Sequence, residues 1–476
     1  MKPRPAIPAG PYLVVGLARS GVAAALALRA RGEQVIGLDA GSPPGASALA
    51  GEDVDLHLED PLGVALLDRV GAVVKSPGVP ASAPAIVAAR ERGMTVMGEL
   101  ELAWRLLGNE FVAVTGTNGK TTTVELIGHI HREAGLAVAV AGNVGTALSS
   151  LVGELDDGAT VVCEASSFQL EDTLRFAPEA AVLLNITPDH LDRHGTLRAY
   201  AAAKLELFSR QGEDDVAVLP SDLRERLAWA AEAVGEEPAG MLPADGPPGR
   251  ARRVEFGWDS AAALFELDGQ LWWQGRSLIA LAQMRLRGRH NVENAMAAAA
   301  VCLARGLDPG AVRAGLESFP GVAHRLEEVA ERDGVLYVND SKATNVASTL
   351  VALEAFAGRP LHLILGGQGK GQDFTALREP VQRACAGVYL IGEDAPALAA
   401  ALGNVAPPVL ECGDLERALA AARLQLAGDP GARGGAAGGT DGPVVLLSPA
   451  CASFDQFADF EARGERFREL TEKLQG

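Results

Sequence analysis

The sequence predicts an α/β protein of three domains: a Rossmann-like N-terminal domain, a central α/β domain of the P-loop ATPase type, and a Rossmann-like α/β C-terminal domain. Its 476 residues are too many for one ordinary core. Short apolar runs that end in glycine or polar residues alternate with helical segments. Near the middle, an apolar strand leads directly into "TGTNGKTTT" and a helix. We therefore expect domains at 1–108, 109–319 and 320–476.

The N-terminal domain begins with a strand, a glycine turn, a helix and a second strand, in "YLVVGLARSGVAAALALRARGEQVIGLDA". The turn reads Gly16-x-Ala18-x-x-Gly21, so the central glycine of the dinucleotide-binding fingerprint is replaced. Asp39 still follows at about the usual 20 residues. Three interpretations remain open from this pattern: binding of NAD, binding of another nucleotide or sugar nucleotide, or a purely structural turn.

The central domain begins with a strand, a candidate phosphate loop and a helix, in "EFVAVTGTNGKTTTVELIGHI". A usual phosphate loop has four residues between its first glycine and Gly-Lys, whereas Gly116 and Gly119 enclose two. Backbone N–H groups and the positive helix end suit phosphate oxygens. We expect Lys120 to reach the terminal phosphates and Thr121 to bind magnesium; the alternative is a plain glycine turn.

Two more strands of this domain end in polar residues. Glu164 directly follows "TVVC", and His190 lies in "TPDHLDRHG" after the next strand. Magnesium prefers hard oxygen ligands and keeps several waters. We expect both residues at the same sheet edge as the phosphate loop, where they are candidate metal ligands; the alternative is that each is merely solvated.

The C-terminal domain again alternates strands with loops, in "GVLYVNDSKATN", "LHLILGGQGKGQDF", "GVYLIG" and "PVVLLSPACASFDQF". Its glycine-rich segment 428–442 is of low complexity and is expected to be a flexible excursion without function, whereas the proline- and glycine-rich segment 235–250 of the central domain is expected to be a surface loop.

Composition excludes several classes of protein. The net charge of -19 argues against a nucleic-acid partner, because clustered cations hold phosphate backbones. No window approaches the roughly 20 apolar residues of a membrane helix, and no leader pattern stands at the N-terminus. The five cysteines are scattered without CxxC pairs, so neither disulfides nor zinc are indicated. We expect a cytoplasmic protein, not inserted in membranes and monomeric.

Lysine is rare in this chain, with seven lysines among 42 basic residues. Four of them lie in the candidate phosphate loop, in the helical "AYAAAKLELF" and in the strand–loop segments of the C-terminal domain: Lys120, Lys204, Lys342 and Lys370. A lysine kept in an arginine-rich chain suits a position that needs a compact, deprotonatable amine. The alternative is that each lysine has survived by chance under a codon bias toward arginine. For Lys204, in the helical "AYAAAKLELF", the alternative is that the side chain is a solvated surface cation.

The motifs together resemble those of the Mur ligases over essentially the whole chain. They are "TGTNGKTTT", "GNVG", "EASSFQLE", "NITPDHLDRHG", "AYAAAKLELF", "GRHNVENAMAA", "HRLE", "NDSKATN", "GGQGKGQDF" and "SPACASFDQFADFEARGERF". The loop is shared with folylpolyglutamate synthases, whereas "SPACASFDQF" is similar to members that add D-glutamate. The resemblance implies ATP-dependent ligation of D-glutamate to UDP-N-acetylmuramoyl-L-alanine through an acyl phosphate, in peptidoglycan precursor synthesis. Another amino-acid ligase, of Mur or folylpolyglutamate type, is the alternative.

The resemblance also implies roles for particular residues and the use of ATP and two Mg²⁺ ions. For ATP these are Gly116, Thr117, Asn118, Gly119, Lys120, Thr121, Thr122, Asn291, Arg325 and Asp340. For the UDP sugar they are Gly16, Ser20, Asp39, Ser76, Asn143 and His190, and for D-glutamate Lys342, Thr344, Lys370, Ser453 and Phe460. For the metal they are Thr121, Glu164, His190 and a carbamylated Lys204, with Lys120, His190, Lys204 and Lys342 as the catalytic set. Two positions depart from the family pattern: Ala18 in the first turn, and Gln368 where members usually have aspartate.

Overall fold

The computed structural model describes residues 2–244, 246–286, 288–369, 371–428 and 442–474. The chain divides into two compact units, one of Met1–Arg285 with His290–Phe319 and one of Leu286–Arg289 with Pro320–Gly476. Within the described residues, no helix is both long and apolar enough to cross a membrane.

The first unit begins with a parallel five-stranded sheet in the order β3-β2-β1-β4-β5. Its strands are β1 (Tyr12–Val15), β2 (Val35–Leu38), β3 (Asp55–His57), β4 (Ala72–Lys75) and β5 (Thr95–Gly98), and its helices α1 (Arg19–Ala30), α2 (Pro84–Glu91) and α3 (Glu99–Leu106). A Cβ on Gly21, in the first turn of α1, would lie 1.8 Å from the Gly16 carbonyl oxygen, so the close approach of this helix to the preceding turn requires glycine there.

The second sheet of this unit has nine strands in the order β14-β13-β12-β11-β10-β9-β6-β8-β7. They are β6 (Glu110–Thr115), β7 (Val138–Gly142), β8 (Thr160–Glu164), β9 (Ala180–Leu183), β10 (Val216–Pro220), β11 (Arg252–Gly257), β12 (Leu264–Leu267), β13 (Gln270–Trp273) and β14 (Arg276–Ala280). The helices are α4 (Lys120–Glu133), α5 (Ser167–Leu170), α6 (Leu191–His194), α7 (Leu197–Leu205), α8 (Leu223–Ala233), α9 (Arg289–Ala304) and α10 (Pro309–Ser318). Because β6, β8 and β9 are parallel neighbours, the loops that follow them meet at one edge.

Segment 235–250 is a surface loop, as expected, since most of its described residues are exposed. Met241 and Leu242 anchor it, because they are buried in the same apolar cluster as α7 and α8. Burial of apolar side chains stabilises the folded protein even when they belong to a proline- and glycine-rich loop.

The second unit is built on a six-stranded sheet in the order β15-β16-β20-β17-β18-β19, parallel except for the β15–β16 pair. Its strands are β15 (Glu327–Arg332), β16 (Val335–Asn339), β17 (Leu361–Gly366), β18 (Cys385–Ile391), β19 (Val409–Gly413) and β20 (Val444–Leu447). Its helices are α11 (Val346–Ala355), α12 (Arg378–Ala384), α13 (Ala395–Leu402), α14 (Leu415–Gly428) and α15 (Phe460–Glu472). Because β20 lies between β16 and β17, the loops after these three strands are neighbours. Residues 429–441 of the glycine-rich segment lie outside the described residues.

Candidate functional site

The shortened phosphate loop between β6 and α4 is held by Asn185, which the sequence analysis missed. The Asn185 side-chain oxygen accepts the backbone N–H groups of Thr117 and Asn118 at 3.1 and 2.9 Å. Its amide nitrogen donates to the Asn118 carbonyl oxygen at 3.1 Å. One side chain therefore braces the two residues that stand in place of the usual four.

The loop also packs against the beginning of α9. Gly119 has a φ of +87°, and a Cβ there would lie 2.2 Å from the side-chain oxygen of Asn294. Asn294 in turn donates to the Asn291 side-chain oxygen at 3.2 Å. The predicted ATP residue Asn291 therefore lies one side chain away from the phosphate loop.

Two lysines meet at this loop. The ammonium groups of Lys120 and Lys204 both lie within hydrogen-bonding distance of the Gly116 carbonyl oxygen, and Lys120 also donates to the Thr117 carbonyl oxygen. Lys204 is 1% exposed, and its nitrogen lies 4.5 Å from the Tyr200 ring centroid. Burial, and then the charge of Lys120, lower the pKa of Lys204 well below its usual value. The alternative that Lys204 is a solvated surface cation is wrong.

Glu164, at the end of β8, faces the same loop. It is 3% exposed, and its two oxygens accept the Thr121 hydroxyl at 2.8 Å and the Asn143 amide at 3.0 Å. The alternative of a solvated carboxylate is therefore wrong.

These oxygen donors fit a magnesium ion. The described residues contain no group of three or more His, Cys, Asp or Glu that could hold a metal. A magnesium ion that also binds substrate phosphates needs only one or two protein carboxylates. Thr121 and Glu164 are suitable because both are hard oxygen donors placed beside the phosphate loop.

His190 lies on the exposed loop after β9 with a left-handed φ of +52°. Its ring centroid is 4.9 Å from that of Phe168 and 6.5 Å from that of Tyr200, the ring that also contacts Lys204. His190 and Lys204 therefore lie close to the same aromatic ring, that of Tyr200.

A cavity of about 770 Å³ opens at the carboxyl edge of the first sheet. Five of the six residues predicted for the UDP sugar line it, and His190 does not; the five are Gly16, Ser20, Asp39, Ser76 and Asn143. The Ser76 hydroxyl donates to the Gly16 carbonyl oxygen at 2.6 Å and thereby fastens the glycine turn.

Two charged residues of this cavity make backbone contacts that the motif alone does not indicate. The carboxylate of Asp39 accepts the backbone N–H groups of Leu17 and Gly41 at 2.7 and 2.9 Å, so it shapes the cavity wall. Arg19, which the sequence analysis did not single out, is the one cation among the described lining residues. Its guanidinium donates to the Asn143 carbonyl oxygen at 3.3 Å.

In the second unit, Asp340 follows β16 and is buried. It accepts the Ser448 hydroxyl at 2.8 Å and the Leu326 backbone N–H at 3.2 Å. Burial raises the pKa of Asp340 to about 7, although these hydrogen bonds and the charges of Arg325 and Arg463 oppose the shift.

Several residues predicted for D-glutamate also gather in the second unit. The Lys342 ammonium lies 5.3 Å from the Phe460 ring centroid, and the Thr344 N–H donates to the Lys342 carbonyl oxygen at 2.8 Å. Ser453 is buried, and its hydroxyl has no hydrogen-bond partner among the described residues. Lys370 lies outside the described residues. An unpaired buried hydroxyl suits a polar ligand.

The braced phosphate loop, two lysines and a buried glutamate define a nucleotide-phosphate-binding α/β protein of the P-loop class. Family models match three parts of the chain: the Mur ligase MurD-like N-terminal domain at residues 11–98, the Mur ligase middle domain at 114–302, and the Mur ligase glutamate ligase domain at 324–451. The chain belongs to the Mur ligase family.

Curated relatives extend over nearly the whole chain. The UDP-N-acetylmuramoylalanine–D-glutamate ligase of Anaeromyxobacter dehalogenans (strain 2CP-C) is 44% identical and covers 96% of both chains. The ligase of the same name from Myxococcus xanthus (strain DK1622) is 42% identical and covers 97% of this chain and 98% of its own.

Solved structures share the fold. The UDP-N-acetylmuramate-alanine ligase MurC from Thermotoga maritima has a TM-score of 0.56 at 20% identity, covering 97% of this chain and 99% of its own. The Mycobacterium tuberculosis folylpolyglutamate synthase has a TM-score of 0.55 at 17% identity, covering 77% of this chain and 93% of its own. At these identities the likeness concerns the fold alone.

Proposed function

We propose that this protein joins D-glutamate to UDP-N-acetylmuramoyl-L-alanine at the expense of ATP, in peptidoglycan precursor synthesis. The observation that carries the proposal is the position of Asn143. This residue lines the 770 Å³ cavity and also donates to Glu164 beside the phosphate loop. A substrate bound in the cavity is therefore placed next to the groups that bind nucleotide phosphates.

The chemistry follows from this placement. The L-alanine carboxylate oxygen attacks the γ-phosphorus of ATP, ADP leaves, and an acyl phosphate results. The D-glutamate amine then attacks the acyl carbon, its nitrogen loses one proton to solvent, and the tetrahedral intermediate releases phosphate as the amide forms. Loop N–H groups and Lys120 hold the phosphates, and their fixed positive charge stabilises the transferring phosphoryl group. Mg²⁺, when held by Thr121 and Glu164 with His190 nearby, supplies further charge neutralisation.

Lys204 is proposed to act as a carbamate. Its amine attacks the carbon of CO₂, an N–C bond forms, and one proton leaves the nitrogen. This step needs the free amine, which the burial of Lys204 and the charge of Lys120 favour. The resulting anion offers two hard oxygens for a second Mg²⁺.

The remaining assignments of the chain are part of the same proposal. Residues 1–108 bind the UDP sugar and 109–319 the ATP phosphates, while 320–476 bind the amino acid and supply Arg325 and Asp340 to the nucleotide. In the third region, Lys342 and Lys370 pair with the D-glutamate carboxylates, and Thr344, Ser453 and Phe460 shape the amino-acid site. The protein is proposed to act in the cytoplasm as a monomer, without nucleic acid.

Phosphate release tests this function. With purified protein, release should require ATP, Mg²⁺, UDP-N-acetylmuramoyl-L-alanine and D-glutamate together, and fall to background when any one is omitted. Equal phosphate release without the UDP sugar would contradict the proposal.

A further inference from the structure

Arg463, in the first turn of α15, is buried in the second unit with 1% exposure. Its guanidinium donates to the Ser341 hydroxyl at 2.9 Å and to the Ser341 carbonyl oxygen at 2.8 Å. It also donates to the carbonyl oxygens of Cys451 at 3.0 Å, Ala452 at 3.3 Å and Gly366 at 3.5 Å. Within the described residues, none of its hydrogen bonds ends on a carboxylate.

The acceptors of Arg463 belong to three different loops. Ser341 follows β16 and directly precedes Lys342, while Cys451 and Ala452 follow β20 and directly precede Ser453. Gly366 ends β17. The guanidinium therefore connects the three loops at one edge of the sheet, including the two that carry Lys342 and the unpaired Ser453 hydroxyl.

The beginning of α15 is fastened to the same group. The Ser341 hydroxyl accepts from Arg463 and donates to the Phe460 carbonyl oxygen at 2.8 Å. Phe460 is the residue whose ring lies beside the Lys342 ammonium. One hydroxyl thus joins the arginine to the first residue of its own helix.

Close packing around Arg463 requires glycine at two places. A Cβ on Gly464 would lie 2.1 Å from the His324 ring. A Cβ on Gly367, whose φ is +129°, would lie 2.2 Å from the Ala452 carbonyl oxygen.

A buried cation that donates no hydrogen bond to a carboxylate is costly, and apolar packing would stabilise the fold equally well. A lysine has only three donors on a flexible stem, whereas the arginine fork reaches acceptors in several directions. Burial lowers the pKa of Arg463 to about 10, so the group remains charged at neutral pH.

We infer that Arg463 is a positioning residue for the amino-acid substrate, which fixes Lys342, Ser453 and Phe460 relative to one another. This inference rests on the proposed D-glutamate ligation. Removing hydrogen bonds of Arg463 should therefore raise the KM for the amino acid. The KM for the UDP sugar should stay unchanged, because the sugar cavity is lined by residues of the first unit.

Steady-state kinetics of Arg463→Lys and Ser341→Ala test the inference. We expect each variant to raise the KM for D-glutamate about tenfold, equivalent to about 1.4 kcal/mol, with the KM for the UDP sugar within about twofold of wild type. Ser341→Ala removes the hydroxyl and leaves the backbone acceptors, so it remains informative if Arg463→Lys does not fold. Thr471→Val, which removes a buried hydroxyl near the end of α15, is the matched control and should change neither KM.

Two outcomes would overturn the inference. One is an unchanged D-glutamate KM in the folded variants; the other is an equal rise in both KM values, which indicates general destabilisation. Wild-type protein without D-glutamate-dependent turnover would instead overturn the proposed function, and this inference with it.

Discussion

Lys120 and Lys204 direct their ammonium groups at the same acceptor, the Gly116 carbonyl oxygen, at 2.9 and 2.8 Å. Two cations that share one buried acceptor repel each other strongly, because little solvent screens them. The repulsion falls if Lys204 is a neutral amine, and it becomes an attraction if Lys204 is a carbamate. The charge state of the buried Lys204 therefore determines whether it repels or attracts Lys120 of the shortened loop.

Lys204→Arg should reduce turnover by at least about a hundredfold, because a guanidinium keeps the charge but cannot supply the carbamate oxygens. Binding of the UDP sugar, measured by calorimetry, should remain within about twofold of wild type. Lys473→Arg, at the exposed end of α15, is the control and should keep full activity. Near-wild-type turnover of Lys204→Arg, or intact wild-type protein that carries no carbamate at saturating bicarbonate, would refute this role.

Arg19→Leu should weaken binding of UDP about tenfold, since it removes the one cation among the described residues of the cavity wall. Uridine, which lacks phosphate, should bind both proteins equally. Arg31→Leu makes the same charge change at the other end of α1, and its UDP affinity should match that of wild type. If Arg19→Leu weakens uridine and UDP alike, the side chain supports the cavity wall and does not bind the diphosphate.

Asp340 should make stability depend on pH. Between about pH 4 and pH 7 the unfolded chain ionises this carboxyl while the folded chain keeps its proton, so rising pH favours unfolding. The free energy of unfolding should therefore fall by at most about 1.4 kcal/mol per pH unit from this group. Asp340→Asn mimics the protonated form and should gain stability relative to wild type as the pH rises through this window.

Urea unfolding at pH 5 and pH 7.5 measures this difference. The exposed Asp333→Asn, which makes the same substitution at the surface, serves as the control. A difference for Asp340→Asn that is flat with pH, or that shrinks as pH rises, would show that Asp340 is ionised in the folded protein.

Much of the site could be predicted because parallel sheets bring distant loops to one edge. A strand before "TGTNGKTTT" and strands before Glu164 and His190 were enough to place all three at one edge of the sheet. The glycine turn alone left NAD and a sugar nucleotide open, since the same strand, turn and helix suit any diphosphate.

The residues that were missed act over long separations in sequence. Asn185 braces a loop 67 residues before it, and Arg463 holds carbonyl oxygens as far as 122 residues away. Both lie in motifs of the family resemblance, "NITPDHLDRHG" and "SPACASFDQFADFEARGERF", but nothing in the residue spacing distinguishes Asn185 from a loop amide or Arg463 from a surface arginine. The role of Asp39 in ligand binding stays a prediction, and its oxygens also accept backbone N–H groups, a contact that spacing does not reveal.

The central claim is that this chain attaches D-glutamate, and product analysis with an amino-acid panel tests it most directly. Mass spectrometry of reactions with UDP-N-acetylmuramoyl-L-alanine, ATP and Mg²⁺ should show the mass of one added glutamate with D-glutamate. No product should form with L-glutamate or diaminopimelate. Equal product from L-glutamate, or from diaminopimelate in place of D-glutamate, would contradict the account.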